Sequence, residues 1–115
     1  MRFLSTRGEA PVLGFSDAVL SGLASDGGLY LPETWPQISP EEIAGFASRP
    51  YAEVAFAVIS RFVEGEIPDD RLRAIIDASY ATFRHPSVTP LVEIEPGRLL
   101  LELFHGPTLA FKDVA

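Results

Sequence analysis

The stretch LFHGPTLAFKDVA, Leu103 to Ala115, holds the side chain best suited to covalent chemistry, Lys112. An apolar run breaks at His105-Gly106-Pro107, resumes at Leu109 and then delivers one amine. Thr108 can cap a helix beginning at Leu109, which would put Lys112 in its first turn, where the helix dipole disfavours a cation. Leu109, Ala110 and Phe111 would help to dehydrate it. Both effects lower the pKa of an amine, and the neutral amine is the form that attacks a carbonyl to make an imine. Asp113, if close, acts in the opposite sense. Most lysines are plain solvated charges, and many follow strands. On the residues alone, both readings stand.

Several elements precede this segment and must position it. Arg2–Thr6 suits a short strand, followed by a turn at Arg7-Gly8. A first helix is expected from Phe15-Ser16-Asp17 to about Ala24, with Ser16 or Asp17 as its cap and Gly27-Gly28 as its stop. Gly28–Pro32 is brief and extended, and Pro32, Pro36 and Pro40 mark a loop. Ser39-Pro40-Glu41-Glu42 opens a short helix ending near Ser48, with a serine cap, a proline in the first turn and a glutamate three residues on. The next helix, from about Pro50 to Glu64, carries Tyr51, Val54, Ala55, Val58, Ile59 and Phe62 on one stripe, and Gly65 ends it. Pro68-Asp69-Asp70 starts another, with Leu72, Ile75, Ile76, Ser79, Tyr80 and Phe83 on one face. The two should pack antiparallel. Val88–Ile94 and Arg98–Phe104 read as strands separated by Glu95-Pro96-Gly97. The second, RLLLELF, is apolar enough for a strand buried on both faces.

Composition narrows the function classes. In 115 residues, 47% are hydrophobic and 22% charged, ordinary usage for one modest globular unit. The 9 basic and 16 acidic residues leave a net charge of −7, which repels phosphate backbones and argues against nucleic-acid binding. No basic cluster suits an anionic membrane, and no apolar run approaches the ~20 residues of a membrane span. With no cysteine there are no disulfides, thiolate metal sites or cysteine nucleophiles, which fits a cytoplasmic setting. No metal site is expected.

Three segments carry a resemblance. FHGPTLAFKD, Phe104 to Asp113, is similar to the cofactor-lysine segment of the threonine synthase family. LSTRG, Leu4 to Gly8, resembles that family's N-terminal signature, and GLASDGGLYLPE, Gly22 to Glu33, resembles the segment after its first helix. The three occur in the family's order and span almost the whole chain. The resemblance implies an α/β fold of the tryptophan-synthase-β-like class (fold type II), with a mostly helical N-terminal lobe over 1–87 and the first strands of a cofactor-binding domain over 88–115.

It further implies that Lys112 carries pyridoxal phosphate as an imine and, once freed by substrate, moves protons at substrate carbons. The implied reaction converts O-phosphohomoserine and water to threonine and phosphate. His105 and Thr108 would border the cofactor, although His105 equally suits a strand end. Ser5, Thr6 and Arg7 would contact substrate, with Arg7 as a phosphate clamp. Arg7-Gly8 is also a simple polar turn, Asp26-Gly27-Gly28 reads first as a helix stop, and His85 reads as a loop residue.

Family members are several times longer, and no glycine-rich phosphate loop or partner for the pyridine nitrogen is found here. The chain is therefore expected to be the N-terminal part of a longer enzyme, and by itself to bind the cofactor weakly and make no threonine. Two rivals remain. One is a lyase of the same fold with another substrate. The other is a non-catalytic interaction module, which the buried-type strand RLLLELF disfavours.

Overall fold

The computed structural model describes residues 1–114. Strand β1 (Phe3–Ser5) pairs antiparallel with β2 (Tyr30–Pro32), in the register Phe3 to Pro32 and Ser5 to Tyr30. Between them runs helix α1 (Phe15–Ser21). A short helix α2 (Pro40–Gly45) continues as a 3-10 turn over Phe46–Ser48. Helices α3 (Tyr51–Val63) and α4 (Asp69–Tyr80) form the hairpin at the centre of the molecule. Strands β3 (Leu91–Glu95) and β4 (Arg98–Leu101) form a second antiparallel pair, and a 3-10 turn at Phe111–Asp113 follows.

Helix α1 begins one residue before its expected caps and does not use either. Its cap position is Gly14, with no side-chain bond. The free N–H groups of Phe15 and Ser16 instead donate to the Glu66 carboxylate at 2.7 and 2.9 Å. These bonds hold the Glu66 carboxyl below its ordinary pKa, the Ser16 N–H contributing most. A charge from the α3–α4 loop thus does the work assigned to a local cap, and it ties α1 to the helical hairpin. The helix ends at Gly22, φ +66°, rather than at Ala24, because Gly22 turns the chain sharply there, with the Leu23 N–H donating to the Ser21 carbonyl at 2.8 Å.

At α2 the serine cap and the proline hold, whereas the Glu42 carboxylate does not close the capping box and pairs with Arg61 instead. The Ser39 hydroxyl accepts the Glu42 N–H at 3.2 Å, and Pro40 occupies the first turn. In α3 the stripe is rotated from the expected one. Val63, with Leu72 and Ile76 of α4, forms the buried centre, and Ala52, Ala55, Phe56 and Ile59 pack on it. Tyr51 and Phe62 turn outward from that line, Tyr51 against Tyr80 and Phe62 against Trp35. A helix with neighbours on several sides is apolar most of the way round, so periodicity alone does not single out one face.

The strand expectations are corrected more heavily. The Val88–Ile94 strand starts only at Leu91, because Val88 sits at φ +57°, outside strand geometry, with its side chain buried. Arg98–Phe104 ends as a strand at Leu101. It is not buried on both faces: Leu99, Leu100 and Leu101 are all exposed, as are Leu91 and Ile94 across the hairpin. A two-stranded ribbon has no covering layer, so its apolar side chains stay open. The radius of gyration, 16.4 Å against roughly 13 Å for a compact chain of about 100 residues, fits an elongated shape of 47 × 29 × 29 Å.

Candidate functional site

The segment from Gly106 to Asp113 is a closed loop, and no α-helix starts at Leu109. Leu109 lies at φ +62°, a conformation that costs a residue with a Cβ roughly 1–2 kcal/mol. Thr108 is no helix cap. Its N–H and its hydroxyl both donate to the Asp113 carboxylate, at 2.9 and 2.6 Å. Asp113 therefore reaches back across the loop rather than toward the amine. The Thr108 hydroxyl, aided by N–H groups of the same loop, lowers the Asp113 pKa and keeps the carboxylate charged. Gly106 is required by space: a Cβ there would overlap the Asp113 side chain.

Lys112 stands in the middle of the Phe111–Asp113 turn with its side chain exposed. Leu109 and Phe111 are themselves exposed, so the expected apolar shielding is not provided, and a single 3-10 turn replaces the helix start. The amine makes no ion pair among the described residues. Lys112 is also the only lysine in the chain.

His105 is fixed in the segment that follows β4. Its Nε2 lies 2.6 Å from the Glu102 carboxylate, its carbonyl accepts the Arg84 N–H, and its ring stands 5.2 Å from that of His85. His85, read from sequence as a loop residue, is thus a packing partner of His105. Pro107, Asp113 and Val114 complete the wall of an apolar groove of about 490 Å³, whose floor includes Leu72, Ile76 and Phe83 of the α4 region. The groove lies between the helical hairpin and the lysine loop.

Ser5, Thr6 and Arg7 come together in a second cluster, and its organiser is Asp26. The Asp26 carboxylate accepts the Ser5 hydroxyl (2.7 Å) and the N–H groups of Gly28 (2.9 Å), Glu9 (3.1 Å) and Ala10 (2.9 Å). Partial burial would raise its pKa, but the bonds from Ser5, Gly28, Glu9 and Ala10 outweigh it and hold the group at about 2. Ser5 Oγ also accepts the Arg7 N–H, and Thr6 Oγ1 accepts the Leu29 N–H. The Ser5 hydroxyl is committed to the loop itself.

Arg7 is exposed, and its Nη1 donates to the Asp26 carbonyl at 2.9 Å, leaving the rest of the fork free. A Cβ on Gly27, at φ +78°, would come within 2.9 Å of that nitrogen, and one on Gly28 would overlap the Ser5 hydroxyl. The glycines of the DGG stop therefore serve Arg7 and Ser5 more than the helix. Asp26 was the residue sequence reasoning undervalued, and the available signal was an aspartate directly before two glycines. No hydrogen bond or ion pair links this cluster to the Lys112 loop among the described residues.

The profile described as "Threonine synthase N terminus" matches residues 2–80, more than half of the chain. The chain belongs to the threonine synthase family. It is 52% identical over 115 residues to a threonine synthase of Pseudomonas aeruginosa, covering all of this chain and 24% of that protein. A structure of pyridoxal-phosphate-bound threonine synthase from Brucella melitensis superposes with a TM-score of 0.94 at 56% identity, covering 99% of this chain and 25% of that one. Yeast threonine synthase gives 0.87 at 42% identity, over 98% and 24%. The chain thus spans about a quarter of the length of the relatives it matches, and its mixed helix-and-strand architecture is theirs over that quarter.

Proposed function

We propose that this chain provides the cofactor-anchoring part of a threonine synthase, which converts O-phosphohomoserine and water to threonine and phosphate. The observation that carries the reading is Lys112, the only lysine, exposed on a pinned loop within FHGPTLAFKD. The residues present fit the covalent attachment of pyridoxal phosphate: an amine with no competing ion pair among the described residues, on a segment fixed by hydrogen bonds. They include no glycine-rich cradle for the cofactor phosphate. When bound, the cofactor supplies an electron sink for charge developing on substrate carbons.

The chain's own residues have the remaining tasks. Lys112 anchors the cofactor and, when free, holds or releases a proton through Nζ. His105 and Thr108 border the cofactor in this reading; Thr108 also shapes the loop, since both of its donors are used there. Arg7 offers the unused part of its guanidinium to the substrate phosphate, Thr6 lies beside it, and Ser5 holds the turn. Residues 1–87 form the N-terminal domain in this proposal, and 88–115 begin the cofactor domain in a cytoplasmic enzyme. The exposed hairpin is the feature that would suit an interaction module, but the family match favours the enzyme.

Borohydride reduction of the natural protein that carries this chain, followed by peptide mapping, tests the assignment. A pyridoxyl group on Lys112 is expected. The same modification on any other residue would sink it.

A further inference from the structure

We propose that Asp113 is the positioning residue for Lys112: clamped to Thr108 and seated on the bare Cα of Gly106, it holds the 106–113 loop in the shape that presents the amine. This rests on the assignment of Lys112 as cofactor anchor. Three separate features of the loop converge on that one carboxylate. Thr108 gives it both of its donors, at 2.9 Å from N–H and 2.6 Å from the hydroxyl. Gly106 leaves the space it occupies. Leu109, within the loop that Thr108 and Asp113 close, is held at φ +62°, a conformation that relaxes unless its surroundings impose it.

The consequence for Lys112 is geometric. Its neighbour Asp113 is tied backward to Thr108, and the Asp113 N–H donates to the Ala110 carbonyl at 3.0 Å. The lysine therefore projects from a turn fixed on both sides, with its amine unpaired among the described residues. An aspartate adjacent to a lysine would otherwise be a natural partner for it. Here Thr108 keeps that negative charge engaged elsewhere. Releasing the clamp would both loosen the lysine and free a carboxylate to pair with it.

The test uses the holoenzyme of the natural protein with the variants Thr108→Val, Thr108→Ser and Gly106→Ala. Thr108→Val removes the hydroxyl donor at nearly constant volume, Thr108→Ser keeps it, and Gly106→Ala displaces the carboxylate from the other side. Gly106 is outside the left-handed region, so its replacement adds no backbone strain of its own. A misplacement of about 1 Å can cost up to about 100-fold in rate. For Thr108→Val and Gly106→Ala we expect kcat to fall by about 10- to 100-fold with KM for O-phosphohomoserine little changed, and pyridoxal phosphate to dissociate faster on dialysis.

Thr108→Ser should restore both readouts to near wild type. A purely structural role would lower thermal stability without this split between kcat and KM. Equal behaviour of Thr108→Val and Thr108→Ser, or wild-type retention of the cofactor in Gly106→Ala, overturns the proposal. Peptide mapping of the reduced wild-type protein separates the two ideas. A pyridoxyl group elsewhere ends the Lys112 assignment and this inference with it, whereas Lys112 modified and Thr108→Val silent removes only the clamp.

Discussion

Replacing Leu72 by alanine tests whether Leu72 holds the core of the α3–α4 hairpin while Ile75 only walls its groove. Leu72 is 4% exposed, centred between Val63 and Ile76, and it also lines the groove closed by Pro107, Asp113 and Val114. The substitution deletes three carbon groups, worth about 0.8 kcal/mol each in transfer energy, or about 2.4 kcal/mol together. A cavity penalty adds to this, but one side of the site opens to the groove, so it should be small. The expected loss is about 3 kcal/mol, near the lower end for a buried leucine. Amide hydrogen exchange in the natural protein reads this directly: protection across α3 and α4 should fall by about 100-fold, at 1.4 kcal/mol per decade. Ile75, on the same groove but 43% exposed, should cost about 1 kcal/mol when truncated. Less than a fivefold change for Leu72→Ala, or equal losses at both positions, would refute the reasoning that Leu72 is core and Ile75 groove wall.

Other perturbations address the two loops and the caps. Asp26 has its folded-state pKa depressed from 3.8 to about 2, so its contribution to stability is present above pH 3.8 and is lost as pH falls through 2. A carboxyl-carbon NMR titration should place its midpoint near 2, and a midpoint at or above 3.8 would contradict the four-donor network. Gly28→Ala should displace Ser5 and expose the Glu9 and Ala10 amides to faster exchange, because the added Cβ has no room beside the Ser5 hydroxyl; unchanged protection there would rule that out. Gly27→Ala should push the Arg7 guanidinium off the Asp26 carbonyl and weaken inhibition by inorganic phosphate severalfold, and no further once Arg7 is alanine. Ser39→Ala should cost about 1 kcal/mol locally, seen as roughly fivefold faster exchange in α2.

Local signals in the sequence were dependable where the partner was also local. Ser39 caps α2 because its donor, Glu42, is three residues away. Gly97, at φ +76°, turns the β3–β4 hairpin beside Pro96, as that dipeptide predicts. The failures share one cause: the deciding partner was far along the chain. Helix α1 is capped from Glu66, some fifty residues away, and no reading of Phe15–Asp17 can reveal it. The α3 stripe rotated because Trp35 and Tyr80 also claim faces of that helix. For the site, residue types were legible and their roles were not. Ser5 and Thr108 looked like ligand donors, yet each directs its hydroxyl to an aspartate within the fold.

The same economy governs both loops, and it bears on how the proposed chemistry is prepared. In each, a carboxylate with a lowered pKa gathers hydroxyl and amide donors around glycines that admit no Cβ, and a cationic side chain is left projecting from the result. At Asp26 that side chain is Arg7, and at Asp113 it is Lys112. Neither aspartate forms an ion pair with the cation beside it among the described residues. Had either done so, the neighbouring charge would be neutralised before any phosphate or aldehyde arrived. Committing the carboxylates to hydroxyl and backbone donors fixes the loops while keeping both cationic groups open to a ligand. This is preorganisation by charge-assisted hydrogen bonds, with the carboxylate charge already engaged before the ligand is met.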